Sequence, residues 1–211
     1  MILVPEIQTV VILVPRTGSG SLKRAVAERY PRSMLIYRHM EADGVPLGYD
    51  RWRKVGVVRH PVERLWSLYR FLKNFRGSSD PLYEEGNRQT YLEKQRRSVE
   101  CPFDEWIVRN EIVFTSPYDS DGLNRFWPHF SVRHALPETR KSQFLYLRPD
   151  LGTEIYPFAQ LSCLFRELDV DGGHFNASGC VDPPPPLSAK AMDHLARFFA
   201  WDLEQTGAEL E

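Results

Sequence analysis

Cysteine is scarce in this chain. There are three in 211 residues, Cys101, Cys163 and Cys180. They are too few and too scattered for a disulfide framework or a paired-cysteine zinc site. The expectation is reduced thiols and a cytoplasmic location. A dominant charge is also missing. The 27 Lys+Arg stand against 28 Asp+Glu, a net charge of −1. That balance argues against a partner held as a nucleic-acid polymer by bulk electrostatics. It does not exclude a local basic pocket for a small anion, because net charge says nothing about placement. Long hydrophobic runs are absent, and no stretch approaches the ~18 apolar residues of a membrane span. The opening MILVPEIQTVVILVPRTG is broken by Pro5, Glu6 and Gln8 and lacks the basic and small-residue flanks of a signal peptide. Asn176-Ala-Ser178 fits a glycosylation sequon, which has no consequence in a cytosolic chain. No internal repeat is visible.

What is present is ordinary for a globular protein. Hydrophobic residues make up 42% and charged residues 26%, which disfavours a disordered or collagen-like chain. At roughly 150 residues per domain, the length favours one domain over residues 1–211. Such a chain buries roughly 70% of its unfolded surface without needing disulfides or a structural metal. Residues 74–100 turn polar and read as a lid or surface insertion.

Strand and helix signals alternate. Thr9–Val14 is a β-branched run that reads as a buried parallel strand. Ser21–Tyr30 suits a helix, Ser33–Tyr37 a short strand and Lys54–Val58 another strand. Pro61–Lys73 reads as a helix, with Pro61 at its first position and Leu65, Leu68, Tyr69 and Leu72 spaced along one face. Phe103–Ile112 predicts a helix, Gln143–Leu147 a strand and Glu154–Leu168 a helix. After the four prolines 183–186, Ser188 caps a last helix, Ala189–Gln205, which stops at Gly207. The alternation implies an α/β fold with a mostly parallel sheet, a class that binds ligands at the carboxyl ends of its strands.

Two stretches carry chemistry. Between the first strand and first helix lies Pro15-Arg16-Thr17-Gly18-Ser19-Gly20-Ser21-Leu22. Glycines there allow backbone N–H groups to line a concavity, and the helix start adds the positive end of its dipole. Arg16 contributes a cation, and Thr17, Ser19 and Ser21 contribute hydroxyls. The loop is not a Walker A motif, because Gly20 is followed by Ser21 rather than lysine. The second stretch, Val57–Tyr69, puts Arg59 at a strand end and Ser67 eight positions later on the next helix. Arginine can grip a phosphate with two N–H groups, and a serine hydroxyl adds a third donor. Arg64 is a further cation nearby. Two such sites suit a ligand with two separated anionic groups.

PRTGSGSL resembles the 5′-phosphosulfate loop of sulfotransferases that use 3′-phosphoadenosine 5′-phosphosulfate (PAPS). VVRHPVERLWSLY is similar to their 3′-phosphate motif, in which an arginine is followed eight positions later by a serine. His134–Thr139 resembles a His-x-x-Pro-Gln element of Golgi-type carbohydrate sulfotransferases. His174–Ser178 and the final LSAKAMDHLARFFAWDLEQTG resemble closing segments of the same group. The resemblance implies a three-layer α/β/α fold with a central parallel sheet, like that of P-loop NTPases. It implies that Arg16, Thr17, Gly18, Ser19, Gly20, Ser21 and Leu22 cradle the 5′-phosphosulfate, and that Arg59 and Ser67 hold the 3′-phosphate. Three departures stand out. Arg16 occupies a position usually held by lysine, His60 replaces the usual Asp or Asn, and residues 174–181 lack the basic side chains some relatives have there.

The expected activity is transfer of a sulfuryl group from PAPS to a hydroxyl of a small molecule or carbohydrate, with no metal and no membrane span. His39, after the second strand, is the first choice for the general base, with Arg16 stabilising the leaving phosphate. Glu41, His134 and Glu138 are the other candidate bases, and His60 reads as a helix-start residue. Tyr83, Tyr91, Tyr118, Phe126 and Trp127 are candidates for stacking on an acceptor. The alternatives are a nucleotide kinase-like phosphotransferase, disfavoured by the missing Walker lysine, and a non-catalytic nucleotide- or anion-binding domain.

Overall fold

The computed structural model describes residues 1–36, 39–74, 95–110, 112, 114, 142–172 and 182–207. Among the described residues, five strands form one sheet: β1 (Ile2–Val4), β2 (Thr9–Ile12), β3 (Met34–Leu35), β4 (Arg53–Val58) and β5 (Thr153–Pro157). Their order across the sheet is β3-β1-β2-β4-β5. Helices among the described residues include α1 (Ser19–Arg29), α2 (Pro61–Lys73), α3 (Phe103–Arg109), α4 (Phe144–Leu147), α5 (Leu161–Glu167), α6 (Ala189–Phe198) and α7 (Ala200–Thr206). The α/β class is as expected, but the sheet is mixed. β2, β4 and β5 run parallel, while β1 is antiparallel to both β2 and β3.

The antiparallel half comes from a hairpin that the sequence reading did not assign. Ile2–Val4 is too short to stand out beside Pro5, yet it pairs with β2 through Ile2↔Val11, Leu3↔Val10 and Val4↔Thr9. Pro5–Ile7 form a single 3₁₀ turn, and Gln8 closes it in the left-handed conformation at φ 47°.

Both sheet faces are covered, so alternate residues of each strand enter opposite cores. Leu3, Val10, Ile12 and Val58 pack with Ile36, Met40 and the α4 residues Phe144 and Leu147. Ile2, Val4, Val11, Val55 and Val57 pack with Leu22 and Val26 of α1 and Leu164 and Phe165 of α5. A third cluster joins α2 (Leu65, Leu68, Leu72) to Trp106 of α3 and to Leu195 of α6.

Two expected elements are corrected. Gln143–Leu147, read as a strand, contains the one-turn helix α4 lying on the sheet face. The sheet position beside β4 belongs to β5, pairing Lys54↔Thr153 through Val58↔Pro157. Glu154–Leu168, read as one helix, is therefore a strand up to Pro157, a 3₁₀ turn Phe158–Gln160, and then α5. Pro157 is the local reason. It lacks an N–H and pushes the residue before it towards extended backbone, so a continuous helix cannot run through it.

The last helix also divides at Phe199, whose φ of −124° separates α6 from α7. Its ends are as read. Ser188 accepts a hydrogen bond from the Ala191 N–H, and Gly207 closes α7 at φ 61°. α2 has the expected bounds, while α3 stops at Arg109, where Asn110 turns left-handed at φ 57°. Among the described residues, no helix is long and apolar enough to cross a membrane.

Gly56 shows how tightly α4 sits on the sheet. A Cβ added there would lie 2.2 Å from Leu147 Cδ2 and 3.4 Å from the Ile12 carbonyl oxygen. Leu147 is fully buried, so its methyl has little room to retreat. Gly56→Ala is expected to destabilise the fold by about 1–3 kcal/mol, the usual cost of overpacking. Urea unfolding measures this, and an unchanged midpoint would mean that Leu147 gives way freely.

Candidate functional site

β2 and β4 run parallel with Ile12 opposite Gly56, and β4 continues beyond the end of β2 to Val58. The chain leaves both strands at one edge, and the two motifs are built there. Beyond Ile12, backbone carbonyls are taken up by side chains rather than by a neighbouring strand, so β2 ends earlier than its apolar run. The Thr17 hydroxyl donates to the Val14 carbonyl at 3.0 Å, and His39 Nδ1 lies 2.8 Å from the Leu13 carbonyl.

The loop then turns sharply. Arg16 has φ 68° and Gly18 has φ 81°. Gly18 is required twice over. Its conformation is left-handed, and a Cβ would come 2.9 Å from Leu161 Cδ2 and 3.3 Å from Phe158 Cε2. α1 begins at Ser19 with no side-chain cap, and its first ladder bond runs from the Leu22 N–H to the Gly18 carbonyl at 3.0 Å. The N–H groups of Ser19, Gly20 and Ser21 therefore precede the helix ladder and have no acceptor within it.

The structure brings the two motifs into contact. Arg16 Nη2 donates to the Ser67 carbonyl at 3.0 Å and to its hydroxyl at 3.1 Å, and Arg16 Nε reaches the hydroxyl at 3.3 Å. The guanidinium also lies 4.6 Å from the Phe71 ring centroid. Arg59, at the end of β4, pairs with Glu63 at 3.1 Å and stacks 4.4 Å from the Phe158 ring centroid. Burial pushes the Arg16 pKa down to about 10, and the positive charge of Arg59 pushes the same way. Two like charges thus act on each other at the strand ends, an arrangement that an anion between them would relieve.

The other expected residues fall into two groups. Thr17 and Leu22 are each only 2% exposed. The Thr17 hydroxyl serves the loop itself, and the Leu22 side chain packs in the core. His39 lies by the same edge. A carbonyl can only accept, so His39 Nδ1 carries the proton and Nε2 is the basic nitrogen. Glu41 stands just before a short 3₁₀ turn, Ala42–Gly44. His134, Glu138, residues 174–178 and the aromatics Tyr83, Tyr91, Tyr118, Phe126 and Trp127 lie outside the described residues, as do residues 75–94 of the expected insertion. No group of three or more His, Cys, Asp or Glu that could hold a metal ion occurs among the described residues.

In the sequence Arg64 reads as one more nearby cation. In the structure it is buried, 1% exposed, with Nε donating to the Pro15 carbonyl at 3.0 Å and its guanidinium 3.7 Å from the Phe114 ring centroid. It supports the loop from beneath. Gln143, Asp202, Phe158 and Phe71 had no local signal, because their roles come from residues distant in sequence. Comparison of the chain with family models, with curated proteins and with solved structures finds no match.

His60 opens α2 between Arg59 and Ser67. Its Nδ1 accepts from the Val62 N–H at 3.3 Å, as an N-cap should. Burial lowers its pKa, with Glu63 opposing. The unfolded chain therefore binds the proton more readily, near the ordinary value of ~6.5. The cap contributes stability above that value and loses it as pH falls through the folded value, where a protonated Nδ1 can no longer accept. His60→Asn keeps an acceptor but does not titrate. Between about pH 8 and pH 5, its melting temperature should fall less than that of the unaltered protein, and parallel curves would show that His60 does not cap in solution.

Proposed function

We propose that this chain is a PAPS-dependent sulfotransferase that transfers a sulfuryl group to a hydroxyl of a small molecule or carbohydrate, on a P-loop-like α/β scaffold. The observation that carries this reading is the grip of Arg16 on Ser67 beyond the carboxyl ends of β2 and β4, where burial, and after it the charge of Arg59, lowers the pKa of Arg16. Anions bind where cations and N–H donors converge with little water, and sulfuryl transfer depends mainly on positioning and charge stabilisation. The uncapped start of α1 supplies donors of the right kind beside Arg16.

In this mechanism His39 Nε2 takes the proton of the acceptor hydroxyl. The Leu13 carbonyl keeps the ring in the tautomer that can do so. As the acceptor oxygen bonds to sulfur, the bond from sulfur to the 5′-phosphate oxygen breaks, and its electron pair leaves with the phosphate. Arg16 and the N–H groups of Ser19–Ser21 stabilise that developing charge. Arg59 and Ser67 hold the 3′-phosphate. Ser67 already accepts from Arg16, and its own hydroxyl proton can point to a phosphate oxygen. None of these roles requires a metal ligand or a membrane anchor, and the acceptor is a hydroxylated molecule rather than a nucleic-acid polymer.

Calorimetric titration with 3′-phosphoadenosine 5′-phosphate in the absence of magnesium tests the reading. Binding supports it, whereas binding only of ATP with magnesium would favour a kinase-like phosphotransferase. Arg59→Ala should weaken nucleotide binding by about 1.5–3 kcal/mol, the value of a charge-assisted hydrogen bond, and unaltered affinity would remove Arg59 from the site. His39→Asn should lower turnover by roughly 10²–10⁴-fold with nucleotide affinity retained. Normal turnover would assign the base elsewhere, and failure of any hydroxyl acceptor to yield a sulfated product would leave only a nucleotide-binding role.

A further inference from the structure

Beneath the site, residues far apart in sequence meet in a buried polar brace. Gln143 stands just before α4 and is fully buried. Its side-chain amide grips the backbone of Arg59 at both ends. Oε1 accepts from the Arg59 N–H at 2.7 Å, and Nε2 donates to the Arg59 carbonyl at 2.7 Å. A neighbouring strand would offer the same donor and acceptor. The β4–β5 ladder ends at Val58↔Pro157, so the Gln143 side chain extends the sheet by one residue, at the position where Arg59 emerges.

Gln143 is itself held. Its own N–H donates to Asp202 Oδ1 of α7 at 2.8 Å, and Asp202 is fully buried. Arg64 supplies the opposing charge. Burial lowers the pKa of Arg64 to about 10 and raises that of Asp202, and each charge counters the shift of the other. Arg64 in turn holds the Pro15 carbonyl, one residue before Arg16. Buried charges of this kind are often no more stabilising than apolar residues of similar volume. Their arrangement around the backbone of two functional arginines suggests a service other than stability.

We propose that Gln143, backed by Asp202, is a positioning residue for the anion site, fixing the Arg59 backbone so that its guanidinium is presented in one place. The inference rests on the reading of this edge as a nucleotide site. Three variants test it. Gln143→Met removes both hydrogen bonds to Arg59. Gln143→Glu keeps the acceptor for the Arg59 N–H but sets a carboxylate oxygen against its carbonyl. Leu3→Ala, at a fully buried core position on β1, serves as a destabilised control.

Two readouts are needed: hydrogen exchange of the Arg59 amide relative to that of Val57, and affinity for 3′-phosphoadenosine 5′-phosphate. In Gln143→Met, Arg59 exchange should quicken relative to Val57. Gln143→Glu keeps the N–H bond, so its loss should appear in affinity. Nucleotide binding should weaken about tenfold in both Gln143 variants, in line with the ~10–100-fold cost of losing partners that orient metal ligands. Leu3→Ala should do neither. In an Arg59→Ala background, Gln143→Met should weaken binding no further. The proposal is overturned if Arg59 stays as protected as Val57 in Gln143→Met, if affinity is unchanged in both variants, if Leu3→Ala weakens binding equally, or if the two losses simply add. Should the unaltered protein not bind the nucleotide, the proposed function falls on its own, and inorganic phosphate becomes the affinity probe. A tenfold loss in that assay would still support the role of Gln143, and an unaltered protein that binds neither probe would overturn both.

Discussion

The parallel register of β2 against β4 is the constraint on which the site depends. With Ile12 opposite Gly56, both strands end at one edge, and the chain must leave the sheet there twice. Each exit has a different task. After β2 the chain turns through two left-handed residues into α1, leaving helix N–H groups at the edge. After β4 it passes through Arg59 and the His60 cap into α2, which carries Ser67 on its second turn. The absence of a side chain at Gly56 belongs to the same constraint, since it allows Leu147 to lie against the strand and places Gln143 beside Arg59.

Collecting positive charge at this edge has an energetic cost. Arg16 is partly withdrawn from water and faces the charge of Arg59, and Arg64 is wholly buried below. Glu63 and the rings of Phe158, Phe71 and Phe114 offset part of that cost through an ion pair and cation–π contacts. What remains favours an anion. A ligand that neutralised the repulsion and bound the folded state alone would stabilise it by mass action. The cores packed on both sheet faces hold the strand ends from which these arginines emerge.

Legibility in the sequence followed the range of the interactions. α2 was readable to the residue because Pro61 and the spacing of Leu65, Leu68 and Leu72 are local facts. The same holds for the Ser188 cap and the Gly207 stop. β5 was obscured because Ile155, Phe158, Leu161 and Leu164 imitate a helical period across a strand, a 3₁₀ turn and a helix, and only Pro157 separates them. The short β1 acquires its meaning only through pairing with β2. Arg16, Arg59 and Ser67 could be selected from spacing, but the contact between Arg16 and Ser67 spans 51 positions. The grip of Gln143 on Arg59 spans 84 positions and has no residue-type signature at all.

The arginine at position 16 does more than place a positive charge. An ammonium on a flexible stem is a single point of donors, whereas a guanidinium holds Nε and Nη2 in a fixed fork. Both arms of that fork meet Ser67, and the guanidinium carbon lies over the Phe71 ring. A lysine ammonium could reach both Ser67 oxygens, as Nη2 does, but has no second nitrogen to add the Nε bond. The guanidinium therefore ties the loop after β2 to the second turn of α2. It turns two motifs that could have moved independently into one unit, with the helix start of α1 on one side and Arg59 on the other.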